Sequence, residues 1–165
     1  MSHAPVSAIA APMPTHSAAY NRRRFFNWFP LGLTYALLYM GRYNLTVSKT
    51  ALGDLMSKTD FGTIFGVGAW VYAVAFLING PLTDRIGGKK AMLIGASGSA
   101  LANLAMALYL KSILGAVNPQ DAPLKLVFSV LYGVNMYFQS YGAVAIVKVN
   151  AHWFHVRERG TFSGI

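Results

Sequence analysis

The sequence contains no cysteine and very little acidic charge. Among its 165 residues there are five Asp and Glu, and charged residues of either sign make up only 12%. A chain without cysteine has no disulfide framework, no cysteine-bound zinc and no thiol nucleophile. A soluble domain usually carries about 25% charged residues. Half that fraction, together with 55% hydrophobic residues, indicates a membrane protein.

The charge that is present is mostly positive. Fourteen Lys and Arg against five acidic residues give a formal net charge of +9, a balance that in a soluble protein would suggest a nucleic-acid partner. Here most positive residues stand at the ends of apolar runs, which is typical of membrane topology signals. We therefore expect no nucleic-acid partner. The apolar segments contain no Ser-His-Asp set, paired carboxylates or metal-ligand set, so we expect neither an enzyme nor a bound cofactor or metal.

Four apolar segments are each long enough to cross a bilayer as a helix of about 20 residues. They cover residues 25–47, 61–82, 91–110 and 124–149. The third is rich in small residues from Gly95 to Ala100, which lets neighbouring helices approach closely. Residues 1–21, rich in Ala, Pro and Ser, are predicted to form a disordered tail. Residues 22–165 are predicted to form an all-α membrane domain, with a fifth helix beginning near residue 157.

The charges of the loops predict the orientation of these segments. The flank before the first segment, the turn after the second and the loop after the fourth carry Arg22, Arg23, Arg24, Arg85, Lys89, Lys90, Arg157 and Arg159. The alternate loops carry Lys58 and Lys111, with Lys49 and Lys125 at their borders. Because Lys and Arg accumulate in cytoplasmic loops, both ends of the chain are predicted to be cytoplasmic.

A polar stripe runs along the first apolar segment. Tyr35, Tyr39, Arg42, Thr46 and Lys49 recur at helical spacing and therefore share one helix face. An arginine at membrane depth costs at least about 2.5–3.5 kcal/mol and persists where it faces a bundle interior or an aqueous cavity. A guanidinium beside hydroxyl donors suits an oxyanion such as phosphate or carboxylate. We predict a substrate site here; the alternative is that Arg42 reaches to a helix end or pairs with a structural carboxylate.

The turn between the second and third segments is short and charged. It reads Gly80-Pro81-Leu82-Thr83-Asp84-Arg85-Ile86-Gly87-Gly88-Lys89-Lys90. Gly80 would permit close helix contact, and Gly87 allows backbone angles that other residues avoid in a tight turn. Asp84 is suited to pair with a cation or to cap a helix N-terminus.

This turn resembles the signature G-x-L-x-D-R-x-G-x-K/R that the major facilitator superfamily carries between its second and third helices. The resemblance implies a conformational, or gating, role for Gly80, Asp84, Arg85, Gly87 and Lys89. The superfamily usually has a basic residue where Gly88 stands. Any ion pair formed by the turn is therefore expected to use Lys89 or Lys90.

Three further places resemble the organophosphate:phosphate antiporters, a family that includes the glycerol-3-phosphate and hexose-phosphate transporters. They are Tyr35-x-x-x-Tyr39-x-x-Arg42-x-Asn44, Phe138-Gln139-x-x-Gly142 and Arg157-Glu158-Arg159-Gly160. The resemblance implies that Arg42 binds the substrate phosphate and that Tyr35, Tyr39 and Tyr72 line the pore. The third place resembles the entry to the family's fifth helix, which gives Glu158 and Arg159 a conformational role.

The sequence also departs from this family. The basic residue that glycerol-3-phosphate transporters place after the arginine is Tyr43, their second-helix lysine is Phe76, and a W-P-P segment reads Ala143-Val144-Ala145. Lys49 and Lys148 are positive charges that could compensate.

On the fourth segment Tyr137, Tyr141 and Lys148 share one face, which makes Tyr141 and Lys148 substrate-site candidates. The alternative is that Lys148 extends to the cytoplasmic end of its helix. Gln139 is expected to bond a neighbouring helix instead.

The resemblance implies that this chain is a truncated, N-terminal part of a larger protein, with the first four helices and the start of the fifth of a six-helix half. The family has about twelve helices in two halves, with the substrate site between the halves near the membrane midplane. The expected partners are therefore the other half of the transporter, the lipid bilayer and a small anionic substrate. The expected function is exchange of an organophosphate for inorganic phosphate across the plasma or inner membrane. A membrane sensor of sugar phosphates and a facilitator for a carboxylate or another organic anion stay as alternatives.

Overall fold

The computed structural model describes residues 15–115, 122–156 and 158–160. In this part the chain forms helices α1 (Ala18–Leu52), α2 (Lys58–Ile86), α3 (Gly88–Leu114) and α4 (Leu124–Trp153), with a 3-10 turn at Gly53–Leu55. Each of the four apolar segments lies inside one of these helices, which confirms the all-α fold class. The helices contain 35, 29, 27 and 30 residues, so each extends beyond its apolar segment.

Helix α1 begins earlier than the composition indicates. Ser17 Oγ accepts a hydrogen bond of 3.2 Å from the backbone N–H of Tyr20, the usual cap of a helix N-terminus. The Tyr20 hydroxyl donates to the carbonyl oxygen of Trp153 at 3.0 Å, which anchors the first turn of α1 on the end of α4. The prediction of disorder through residue 21 is therefore wrong for residues 18–21. Residues 1–14 of the predicted tail lie outside the described part of the chain.

Helix α2 has clear start and stop signals. At its start Ser57 and Asp60 form a capping box: Ser57 Oγ accepts from Asp60 N–H at 3.1 Å, and an Asp60 carboxylate oxygen accepts from Ser57 N–H at 3.2 Å. Lys125, at the start of α4, pairs with Asp60 at 3.2 Å. At its end Gly87 has a φ of 87°, a region that favours glycine, as the turn sequence predicts.

The small residues of α3 pack directly against α4. A Cβ added to Gly95 would lie 2.9 Å from the carbonyl oxygen of Phe138, and one added to Gly88 would lie 2.7 Å from Val149 Cγ2. This confirms that the glycine-rich segment allows close helix approach. Gly80 differs, because a Cβ added there would meet no described atom within 4 Å. The expected close helix contact at Gly80 is therefore wrong within this part of the chain.

Two apolar clusters fill the interior and leave a polar layer between them. The larger contains Leu45, Leu52, Met56, Phe61, Ile64, Met106, Ile113, Leu124, Phe128, Tyr132 and Met136, and the smaller contains Leu38, Ala91, Met92, Tyr141 and Ala145. Arg42, Ser99 and Gln139 lie along their helices between members of the two clusters, and Asn135 lies one turn before Gln139, at the border of the larger cluster. Helices α2 and α3 are each long and apolar enough to cross a membrane. Helices α1 and α4, of similar length, bring Arg42, Asn135 and Gln139 to the polar layer.

Candidate functional site

Arg42 lies at the centre of the candidate site, beside two aromatic rings. Its guanidinium carbon is 4.5 Å from the centroid of the Tyr39 ring and 4.8 Å from that of Tyr72. Its Nε donates a 2.9 Å hydrogen bond to Oε1 of Gln139 on α4. No carboxylate among the described residues pairs with Arg42. The alternative in which Arg42 pairs with a structural carboxylate therefore finds no support here.

Tyr35 completes the aromatic group predicted for this face of α1. Its hydroxyl donates to the Tyr39 hydroxyl at 3.4 Å, and the two rings lie 5.1 Å apart in an edge-to-face arrangement. The ring of Tyr35 packs over Gly142, where an added Cβ would lie 3.3 Å from Tyr35 Cδ2. The structure thus brings together Tyr35, Tyr39, Arg42 and Tyr72, as predicted. Their roles toward a substrate stay predictions.

Gln139 also belongs to this site, although the sequence did not indicate it as a substrate residue. The expectation that it bonds a neighbouring helix is confirmed, but its partner is the site arginine. Its Nε2 donates to Oδ1 of Asn135 at 3.1 Å, and that oxygen also accepts from Ser99 Oγ and from Asn103 Nδ2. The spacing of Asn135 and Gln139, one helical turn apart within an apolar segment, is the sequence signal that marks such a network.

Lys148 does not belong to the Arg42 site. Its Nζ forms an ion pair with the Asp84 carboxylate and donates to the Asp84 carbonyl oxygen at 3.2 Å. It lies nine positions after Gln139 on the same helix, a rise of about 13 Å. Lys148 therefore lies near the end of α4, beside Asp84 and not beside Arg42, and its role toward a substrate stays a prediction. The expectation that Asp84 pairs with Lys89 or Lys90 is wrong, because Lys148 approaches from α4.

Tyr141 is a packing residue. It is buried in the smaller apolar cluster, where it packs with Leu38, Ala91 and Met92. Its ring lies 6.0 Å from the ring of Tyr137. The shared helix face with Lys148 therefore does not place Tyr141 beside Arg42, and its assignment as a substrate residue is not supported by the geometry.

Glu158 and Arg159 connect the end of α4 with the start of α1. Arg24 donates to both carboxylate oxygens of Glu158, at 3.1 and 3.0 Å, and the His155 N–H donates to Glu158 at 3.2 Å. Burial raises the pKa of Glu158, but the bonds from Arg24 and His155 outweigh burial and hold that pKa below its usual value. Arg159 donates to the carbonyl oxygens of Phe154 and Ala151 at 3.0 and 2.7 Å, which satisfies the end of α4.

The remaining predicted gating residues, Arg85 and Lys89, are exposed at the α2–α3 turn. The predicted fifth helix falls mostly outside the described residues. The N–H groups of Glu158 and Arg159 donate to the carbonyl oxygen of His155 at 2.8 and 3.1 Å, which is the pattern of a first helical turn.

The sequence profile of the Major Facilitator Superfamily matches residues 31–165. The chain belongs to this superfamily. It is accordingly a multi-pass integral membrane protein, and α1 to α4 are the first four helices of an N-terminal half. No solved structure matches the chain with comparable significance.

Curated relatives of the chain are named as transporters or as a sensor. The chain is 27% identical over 145 residues to the glycerol-3-phosphate transporter of Bacillus subtilis strain 168, covering 87% of this chain and 31% of the relative. It is 27% identical over 94 residues to the D-galactonate transporter of Escherichia coli O6:H1, covering 56% and 22%. It is 25% identical over 130 residues to the membrane sensor protein UhpC of Escherichia coli K12, covering 78% and 27%. The chain spans less than a third of the length of these relatives.

Proposed function

We propose that the protein is a secondary transporter that exchanges an organic phosphate, such as glycerol-3-phosphate or a sugar phosphate, for inorganic phosphate. The observation that carries this proposal is the environment of Arg42. Its guanidinium is held by a neutral amide and two aromatic rings, and no carboxylate of the described chain balances its charge. An unbalanced charge at membrane depth is costly unless it serves a ligand or an ion pathway. The relative named as a glycerol-3-phosphate transporter supports phosphate as the anion.

The geometry of Arg42 leaves its outer edge available to an anion. Nε is engaged by Gln139, and the two terminal amino groups make no hydrogen bond to the described residues. Two parallel N–H donors on one planar group match two oxygens of a phosphate, which an ammonium group cannot reproduce. The neighbouring Tyr39 hydroxyl, which accepts from the Tyr35 hydroxyl, adds a further donor on the same helix face.

We assign the α2–α3 turn to conformational change rather than to binding. The Asp84–Lys148 pair and the exposed Arg85 and Lys89 lie at the helix ends, away from Arg42. We further propose that both ends of the described chain face the cytoplasm, in the plasma or inner membrane. The substrate cavity is completed by the second half of the transporter, as the inverted-repeat design of such proteins requires.

Two alternative functions each have a relative in their favour. The relative named as a D-galactonate transporter supports a carboxylate as the anion. The paired N–H donors of the Arg42 guanidinium would also bind a carboxylate. The relative named as a membrane sensor supports ligand binding coupled to signalling instead of transport. These functions differ in ligand preference and in flux, so one set of experiments separates all three.

The proposal is tested with the full-length protein in lipid vesicles loaded with inorganic phosphate. We expect saturable phosphate exchange, inhibition by glycerol-3-phosphate and little inhibition by gluconate. Arg42→Lys retains the charge but loses the two parallel N–H donors of the guanidinium. It should therefore weaken phosphate binding by about tenfold or more, in line with loss of one charge-assisted hydrogen bond.

Three results would contradict phosphate exchange. Preferential inhibition by gluconate would favour the carboxylate facilitator, and phosphate binding without flux would favour the sensor. If Arg42→Lys bound phosphate as tightly as wild type, the guanidinium would not make a bidentate contact with the anion. Tyr43→Phe is the matched control, because Tyr43 directly follows Arg42 but is exposed.

A further inference from the structure

We propose that Gln139 and Asn135 are positioning residues that hold the Arg42 guanidinium in one orientation, with its two terminal amino groups toward the anion. This inference rests on the proposed anion-binding role of Arg42. It starts from a chain of side-chain hydrogen bonds that runs from α1 through α4 to α3. Gln139, Asn135 and Ser99 are each at most 2% exposed, so water does not compete for these bonds.

The chemistry of Arg42 determines the direction of every bond in this chain. A guanidinium only donates, so the atom of Gln139 that faces it must be the carbonyl oxygen Oε1. The amide nitrogen of Gln139 then faces Asn135, and the atom of Asn135 that receives it must be Oδ1. Ser99 Oγ and Asn103 Nδ2 must therefore donate to the same oxygen. No side chain in this hydrogen-bond network can exchange its donor and acceptor atoms without breaking the bond to its neighbour.

Rotation of the Gln139 amide would be opposed at both ends. It would place an NH₂ group against Arg42 Nε and would bring the Gln139 carbonyl oxygen against Asn135 Oδ1. Both contacts are repulsive, and buried polar groups left without partners destabilise a protein strongly. Asn103 is held as well, because its Nδ2 donates to the Ser99 carbonyl oxygen at 3.0 Å. The amide of Gln139 is thus locked, and it in turn locks Nε of Arg42.

A neutral amide as the fixed partner has a second consequence. A carboxylate at the same position would also accept from Arg42 Nε, but it would neutralise the guanidinium and could not donate to Asn135 Oδ1. Glutamine orients the guanidinium and leaves its full charge to attract the anion. The identity of residue 139 is therefore predicted to set anion affinity and not only helix packing.

Asn79 offers a matched control for a purely structural amide. Its Nδ2 donates to Ser140 Oγ at 2.7 Å, it is fully buried, and it joins α2 to α4 as Gln139 joins α1 to α4. Its hydrogen bonds go to Ser140 and the Tyr137 carbonyl and do not include Arg42. A change that acts through general loss of packing should affect Asn79 and Gln139 variants alike.

The first experiment measures inorganic phosphate affinity of the full-length protein in detergent. Gln139→Glu keeps the acceptor for Arg42, removes the donor to Asn135 and adds a negative charge. We expect it to weaken phosphate binding at least tenfold, the effect of one lost charge-assisted interaction. Asn79→Asp makes the same chemical change at the control site and should leave affinity at the wild-type value. Equal affinity of Gln139→Glu and wild type, or an equal loss in Asn79→Asp, would overturn the inference.

The second experiment needs no ligand. In protein labelled with ¹⁵N-arginine, the Nε–H signal of Arg42 is assigned by its loss in Arg42→Lys. We expect Gln139→Met to shift this signal or broaden it by solvent exchange. Asn135 bonds Gln139, Ser99 and Asn103 but not Arg42, so Asn135→Leu should change the Arg42 signal only by releasing Gln139. Asn135→Asp retains the acceptor oxygen and should keep the wild-type signal.

The two experiments separate the two proposals. If the wild-type protein binds no phosphate, the proposed function fails and the Nε–H signal alone decides the positioning role. If that signal is unchanged in Gln139→Met and in Asn135→Leu, the positioning role fails even where phosphate binds.

Discussion

At the scale of single residues, the main feature is an arginine supported by rings instead of a carboxylate. The ring centroids of Tyr39 and Tyr72 lie 4.5 and 4.8 Å from the guanidinium carbon of Arg42. Each cation–π contact of this kind contributes about 0.5–2 kcal/mol, more when water is excluded. The rings stabilise the charge without neutralising it, which keeps Arg42 available to an anion.

This arrangement predicts different effects for two changes of Tyr72. Tyr72→Phe retains the ring and should bind phosphate nearly as wild type does. Tyr72→Leu removes the ring and should weaken phosphate binding by about threefold to thirtyfold, the equivalent of one cation–π contact. Competition binding to the full-length protein measures both, with Tyr43→Leu as the control for loss of an exposed ring. Equal behaviour of the Phe and Leu variants would show that the Tyr72 ring does not support Arg42.

At the scale of helices, the α2–α3 turn is joined to α4 by charge and by close packing. Lys148 of α4 pairs with Asp84 at the end of α2, while Gly88 at the start of α3 packs against Val149. The Asp84 side chain is 71% exposed, and exposed ion pairs contribute about 0–1 kcal/mol to stability. The pair is therefore suited to break and reform as helices move, without unfolding the bundle.

This pairing predicts coupled transport defects. Asp84→Asn and Lys148→Gln should each slow phosphate exchange and leave phosphate affinity unchanged, because both residues lie away from Arg42. The double variant should be no slower than either single variant, since each change removes the same contact. Exchange rates in vesicles measure this cycle, and Lys89→Gln is the control on the same turn. Additive defects in exchange rate would show that Asp84 and Lys148 do not act through one shared contact. A loss of phosphate affinity would show that the pair contributes to binding.

At the scale of the whole molecule, the arrangement of charged helix ends predicts topology. Helix α2 has 29 residues, a length of about 43 Å at 1.5 Å per residue, which exceeds the bilayer core of about 30 Å. Lys58 begins this helix and Lys90 lies just beyond its end. The two lysines therefore lie on opposite sides of the membrane.

The absence of cysteine from the sequence makes this topology easy to test. Single variants Lys90→Cys and Lys58→Cys are labelled in intact cells with a maleimide that cannot cross the membrane. We expect Lys58→Cys to react and Lys90→Cys to react only after the cells are opened. The reverse pattern would place both ends of the described chain outside, and reaction of both variants in intact cells would contradict a membrane-spanning α2.

The sequence by itself determined the helices, the superfamily and the first-helix part of the site. Apolar length and helical periodicity are local properties, so they place Tyr35, Tyr39 and Arg42 on one face without knowledge of neighbouring helices. The same is true of Gly87, whose backbone angles depend on the turn it occupies. The composition of residues 15–21 was a poor guide, because the start of α1 depends on Ser17 and on the distant Trp153.

Only the tertiary structure decided which polar groups meet. Arg42 and Gln139 are 97 positions apart, and Asp84 and Lys148 are 64 apart. Periodicity places Lys148 and Tyr141 on a face of α4 but contains no information about the depth at which α1 and α2 pack against it. A shift of one helical turn, about 5.4 Å, would exchange one set of partners for another. The relative depth of packed helices results from the fit of many side chains at once, so the pairing of Arg42 with a neutral amide emerges only when the bundle is assembled.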